Sequence, residues 1–248
     1  MQDRYVGDVG DFAKYALLKG LIGSSNFSLG VVWCLYPNES HNSDGRHIGY
    51  LRRPEFRNLD VELHDRLAAI VQSGRRSVTA ISKAKLLPSS TTYFDFPSAH
   101  PNGGRLNRAA REAHRVKWLA RALVATRACD IVFFDPDNGI EVSSVKMHAP
   151  KAGKYIFWDE LRPFWDRGQS LIIYHHLNRT ASVARQTERL QEKFAVKFAD
   201  AGLIRYFLFR RGSCRHFWLV AQKEHALHCL SVINKIAQSE WREYFEVG

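Results

Sequence analysis

The chain has 248 residues, 45% hydrophobic and 25% charged, with 36 Lys and Arg against 25 Asp and Glu, a formal charge of +11 and a pI near 9.7. That length suits one large or two small domains with a sizeable core, and the composition is that of a soluble globular protein. No apolar run approaches the ~18 residues that would cross a membrane, and the polar, acidic opening MQDRYVGDVGDF does not read as a secretion signal. Cys34, Cys129, Cys214 and Cys229 are scattered, without a C-x-x-C pair. They read as reduced thiols rather than zinc ligands or disulfides, and a cytoplasmic setting is expected.

In chain order, DFAKYALLKGLI (11–22) predicts an amphipathic helix that Asp11 can cap. LGVVWCLY (29–36) reads as a buried strand, followed by the polar loop ESHNSDGRHIGY. LDVELHDRLAAIV predicts a helix with Leu59, Leu63, Leu67, Ile70 and Val71 inward. SVTAISKAKLL reads as a further helix, TTYFDF (91–96) as a short strand, and PSAHPNGGRLN as a loop. RAAREAHRVKWLARALVAT is a long basic helix; together with the loop before it, it reads as a basic insertion at about 97–121. CDIVFFD and SLIIYHH (170–176) are strands, with YIFWDELRPFW helical between them. ASVARQTERLQEKFAVKF is a helix. LIRYFLFRR and CRHFWLVAQ, joined by Gly-Ser, predict a closing hairpin before a last helix, EHALHCLSVINKIAQSEW.

Alternating strands and helices without repeats predict a single α/β domain, a mostly parallel sheet covered by helices on both faces. Such sheets place their sites beyond the carboxyl ends of the strands. This directs attention to 36–50, 135–141 and 174–179.

The first of these constellations to consider is IVFFDPDNGIE. Asp135 ends a strand, Pro136 stiffens the backbone, and Asp137, Asn138 and Gly139 can turn the chain with Gly139 at positive φ. The simplest reading is a solvated turn. Three chemistries compete with it. Asp135 and the Pro136 carbonyl could hold the exocyclic amine of a nucleobase, as a D-P-P-Y loop does. Asp135, Asp137 and Glu141 could hold Mg or Mn through hard oxygens. D-x-D also loosely matches haloacid-dehalogenase-like phosphatases. In the 39–50 loop, Glu39, His41, Asp44, Arg46 and His47 could bind a metal or, more simply, phosphate or substrate. Tyr174, His175 and His176 follow another strand, and alternation sends the two histidines to opposite sides. One of them could act as a general base or a stacking platform. The two Gly-Asp pairs ahead of the first helix are a weak anion-site signal. Arginine clusters beside aromatics, in GYLRRPEFR, SGRRS, GGRLNRAAREAHRVKW and RYFLFRRGSCRH, point to RNA or DNA as partner, no membrane being expected.

These residues also carry a resemblance. GDVGDFAKY (7–15) is similar to the G-x-x-x-D-x-x-K-H segment that opens bacterial large-subunit ribosomal RNA adenine-N6 methyltransferases. DIVFFDPDNGIE resembles their strand and D-P-P-Y loop, SLIIYHHLNR lies where the next strand would be, and GSCRHFWLVA resembles their small-residue turn and last strand. The order and approximate spacing agree across most of the chain. A second bacterial family, of unassigned activity, shares the N-terminal signature. The resemblance implies a methyltransferase-type Rossmann-like sheet and S-adenosylmethionine as cofactor, contacted by Asp11, Lys14, Glu39, His41, Asp44 and Gly45. It implies a target amine held by Asp135 and Pro136, with Asp137, Asn138, Tyr174 and His175 around it. Arg105, Arg108, Arg111, Arg115 and Lys117 would then contact the phosphates. The chain departs from the family in lacking its glycine-rich donor loop. Asp137 replaces the second proline and Asn138 the stacking aromatic, a place Tyr174 could fill. Two rival readings remain: a Mg- or Mn-dependent nuclease or phosphoesterase using Asp135, Asp137 and Glu141 with help from His41, His47 or His175, and a non-catalytic nucleic-acid-binding protein.

Overall fold

The computed structural model describes residues 1–23, 25–40, 45–100, 102 and 104–248. In chain order the elements are α1 (Val9–Ile22), β1 (Leu29–Val32), α2 (Pro54–Leu59), α3 (Val61–Gln72), α4 (Val78–Lys83), β2 (Thr92–Phe94), α5 (Arg108–Ala125), β3 (Ile131–Phe134), β4 (Gly139–Ile140), β5 (Tyr155–Ile156), α6 (Trp158–Asp166), β6 (Ser170–His176), α7 (Val183–Lys197), β7 (Leu203–Phe209), β8 (Arg215–Ala221), α8 (Lys223–Gln238) and β9 (Phe245–Val247).

Seven strands form one sheet in the order β2-β1-β3-β6-β8-β7-β9. The pairings β2–β1, β1–β3 and β3–β6 are parallel. β8 runs antiparallel between β6 and β7, and β9 is antiparallel to β7. Five strands therefore point one way and two the other, a Rossmann-like, mostly parallel sheet that closes with an antiparallel hairpin. β4 and β5 form a separate two-stranded ribbon.

Alternation along the strands divides the core into two layers. Val31, Ile131, Phe133, Ile172, Phe217 and Leu219 pack on the side of α1, α3 and α8. Val32, Val132, Phe134, Leu171, Ile173, Trp218 and Val220 pack with Trp118 of α5, Phe164 of α6 and Phe194 of α7. Phe194 stacks on Trp218 with ring centroids 4.6 Å apart. α3, α5, α7 and α8 each bury one face against this frame, whereas α1 is buried on nearly every side.

Several elements differ from expectation. Asp8, not Asp11, caps α1: its carboxylate accepts from the Gly10 and Asp11 amides. The extra turn places Asp11 and Lys14 on the sheet-facing side. α5 is the ordinary crossover from β2 to β3 and not an insertion. The last helix ends at Gln238, where Ser239 caps a 3-10 turn, and β9 adds an edge strand too short for its pattern to stand out in the sequence. Among the described residues no helix is long and apolar enough to cross a membrane.

Candidate active site

β1 has β2 on one side and β3 on the other, so the chain changes direction between the carboxyl ends of β1 and β3. Open α/β sheets bind their ligands at such a switch point. A cleft of about 150 Å³, partly open to solvent, lies at this edge, lined by α1, the ends of β3 and β6 and the start of β8.

Lys14 holds the floor of the cleft. Its Nζ donates to Asp11 Oδ1 at 2.5 Å and to Asp135 Oδ2 at 2.6 Å. Lys14 and Asp11 are one helical turn apart on α1. Asp135 reaches them because alternation, continued one residue past β3, turns it toward the α1 face. All three side chains are only 3–4% exposed. Burial alone would lower the Lys14 pKa, but the carboxylates of Asp11 and Asp135 outweigh it and hold the ammonium well above its ordinary range. Burial pushes the Asp11 carboxyl up, against the pull of Lys14; the Gly7 amide donates to Asp11 Oδ2 at 2.9 Å. With both carboxylates ionised, two negative charges share one positive charge.

The D-P-D-N loop does not gather a cation set. Asp137 Oδ1 lies 2.7 Å from the Met1 α-ammonium, and Asp137 Oδ2 accepts from Gln2 Nε2 at 2.6 Å. The same ammonium donates to the Asp135 carbonyl at 2.8 Å and the Cys34 carbonyl at 3.1 Å. The positive charge is thus paired with Asp137, whose side chain is 2% exposed. The Asn138 amide donates to the Lys154 carbonyl, while Pro136, Asp137 and Asn138 all line the cleft. Gly139 has φ +102°, as expected, and a Cβ there would come within 2.6 Å of the His175 Cα. Glu141 is directed elsewhere. It lines a different hollow beside α7 and the head of α6, and burial pushes its carboxyl up. The expected Asp135, Asp137 and Glu141 set for Mg or Mn is therefore not assembled, because the turn at Gly139 carries Glu141 away. Among the described residues no group of three or more His, Cys, Asp or Glu is placed to hold a metal ion.

Of the expected donor contacts, Asp11, Lys14 and Gly45 line the cleft. Glu39 does not; it accepts from Gln2 Nε2 at 3.0 Å and Lys154 Nζ at 2.5 Å and ties the N-terminal segment down. His41 and Asp44 lie outside the described residues. His47 lines the cleft.

Alternation also corrects the histidine assignment. Tyr174 and His176 face the cleft with Tyr174 Oη 3.3 Å from His176 Nδ1, whereas His175 turns to the opposite layer. His175 is 8% exposed, and its Nδ1 accepts from the Ile140 amide at 3.1 Å. Burial, with His216 and His176 adding to it, lowers the His175 pKa to about 3; burial lowers His216 to about 4, with Arg210 adding to it. Both rings stay neutral in the fold and take protons only when it opens at moderate acidity. Stability is therefore complete above about pH 6.5 and falls as pH decreases, by about 1.4 kcal/mol per pH unit for each histidine. Urea midpoints recorded from pH 7.5 to 5 should drop accordingly, and a flat profile would refute this account.

Sequence reasoning missed Arg215, which is 3% exposed at the first position of β8 and lines the cleft. An arginine opening a strand that is otherwise buried throughout was the available signal.

The basic helix is only partly a surface for nucleic acid. Arg115 is 3% exposed and locked to Glu160, so it is not a phosphate contact. Arg111 donates to the His148 and Leu106 carbonyls and organises the loops. Arg105, Arg108 and Lys117 are exposed, and Arg108 pairs with Glu112 at 2.9 Å. Compared with protein-family models and with curated proteins, the chain matches none.

Proposed function

We propose that the chain is a methyltransferase-type enzyme that modifies an exocyclic base amine in RNA or DNA, with S-adenosylmethionine as donor. The observation that carries this reading is the Asp11–Lys14–Asp135 group. Lys14 fixes Asp135 through Oδ2 alone, in a cleft at the sheet edge. Two carboxyl groups around one ammonium make the floor rich in acceptor oxygens. Such a floor favours an amine that gains positive charge as a methyl group is transferred, and a cationic donor beside it. S-adenosylmethionine supplies an electrophilic methyl group on a sulfonium, and no covalent protein intermediate is needed. The work of the chain is then positioning. Asp135 accepts from the target amine, the Pro136 carbonyl shares it, and Tyr174 offers a ring face at the cleft wall. β8 lying between β6 and β7 also supports a methyltransferase-type sheet.

Calorimetric titration with S-adenosylmethionine should give saturable heat, and labelled methyl should transfer to RNA or DNA oligonucleotides. Asp135→Asn should reduce transfer at least about 100-fold, the scale of losing one preorganised electrostatic contact, while the donor still binds. A folded sample giving no heat and no transfer would refute the reading and leave a non-catalytic binding protein.

A further inference from the structure

Arg215 presents an unusual arrangement for a buried cation. Its Nη2 donates to Ser213 Oγ at 2.5 Å and the Arg211 carbonyl at 3.5 Å, bracing the β7–β8 turn. Its Nε has no hydrogen-bond partner among the described residues. Its Nη1 makes no hydrogen bond among the described residues; the nearest carboxylate oxygen, on Asp8, is 4.0 Å away and is engaged in capping α1. The guanidinium lies across Gly10 so closely that any Cβ there would overlap Nη1. A buried guanidinium with unpaired N–H groups is costly unless a ligand completes it. With Nη2 engaged in the turn and Nε buried, Nη1 is the group that can donate to a phosphate oxygen.

We infer that Arg215 is the anchor for a phosphate group of a nucleotide whose base reaches toward Asp135. Arg215 on β8 and Asp135 at the end of β3 line the same cleft two strands apart, with Tyr174 between them on β6. The cleft thus carries the Arg215 guanidinium on one wall and the carboxyl groups of Asp11 and Asp135 in its floor, beside the Lys14 ammonium. This inference rests on the nucleic-acid reading of the cleft but not on methyl transfer, so its test reads binding and not turnover.

The test compares adenosine and cytidine with their 3′- and 5′-monophosphates by calorimetry on the unaltered chain. Thermal shifts with inorganic phosphate against chloride at equal ionic strength provide a second readout. Monophosphates are expected to bind at least tenfold more tightly than nucleosides, and phosphate to raise the melting midpoint. Arg215→Gln should erase that difference. If Arg215→Gln does not fold, Gly10→Ala keeps the arginine but displaces Nη1, and should weaken monophosphate binding while sparing the nucleosides. Equal affinity for nucleosides and monophosphates, or a preference that survives both substitutions, overturns the inference. Loss of S-adenosylmethionine binding in Arg215→Gln with monophosphate binding intact would also overturn it, assigning the arginine to the donor carboxylate. A chain that prefers monophosphates yet shows no methyl transfer retains the anchor and loses only the proposed reaction.

Discussion

Replacing Lys14 by methionine should destabilise the protein by about 3–5 kcal/mol, the range for removing one partner of a buried ion pair. Methionine fills similar volume, so the loss reports charge rather than a cavity. Without the ammonium, Asp11 and Asp135 face each other at 3–4% side-chain exposure. Their carboxyl pKa values must then rise, because burial and mutual repulsion both disfavour ionisation. The folded variant holds protons that its unfolded chain releases above the ordinary carboxylate pKa. Its deficit relative to the wild type should therefore shrink as the pH is lowered from 7 toward 5. Urea denaturation at both pH values checks this, and a loss below about 1 kcal/mol at pH 7 would show that the group is solvated. Combining Lys14→Met with Asp11→Asn should recover part of the loss, since one uncompensated charge is removed.

Arg115→Ala should cost a comparable ~3–5 kcal/mol and leave nucleic-acid affinity per folded molecule unchanged. Arg115 grips both oxygens of Glu160, at 2.5 and 2.6 Å, and donates to the Tyr155 carbonyl at 2.8 Å. Its guanidinium also covers the Trp118 ring at 4.3 Å. Glu160 in turn accepts from the Phe157 amide at the head of α6. Losing the arginine strands a carboxylate that is 2% exposed and loosens α5, α6 and the segment at Ser98, whose carbonyl accepts from Arg115 Nη1 at 3.3 Å. The double variant Arg115→Met with Glu160→Met should be markedly less destabilised than Arg115→Ala. Lys117 provides the contrast. It is exposed, and its removal should leave stability within about 0.5 kcal/mol. If the helix binds nucleic acid, it should also reduce the salt slope by about one. Finding that Arg115→Ala weakens binding while leaving stability intact would reverse the two roles.

Much of the architecture was legible from local pattern. Runs such as LGVV, IVFF and SLII are buried on both faces, as strands inside a covered sheet must be, and the Gly-Ser turn announced the hairpin. The Asp135–Pro136 step at a strand end marked the cleft, and Gly139 sits at the positive φ its sequence suggested. The misassigned residues share a cause. His175 and His176 differ only by which layer each faces, and that parity relative to Asp135 depends on the register of β3 against β6, where Phe134 pairs with Ile173. Arg115 lies in a basic helix whose charge content hides that this one position faces inward. Glu141 stands only six residues from Asp135, yet one turn through Gly139 separates them.

By itself the sequence determined the longer elements, the two-sided core and the placement of acidic residues at a strand end, because these follow from periods of two and 3.6 residues and from the turn chemistry of Gly, Pro and Asp; the short strands β4, β5 and β9 left no such period. Tertiary structure alone decided the partners. Lys14 meets Asp135 across 121 residues, and the Met1 ammonium reaches Asp137. Arg215 crosses from β8 to Gly10. Ionic and hydrogen-bonding contacts of this kind leave no periodic trace, since they depend on how the sheet brings distant segments to one edge.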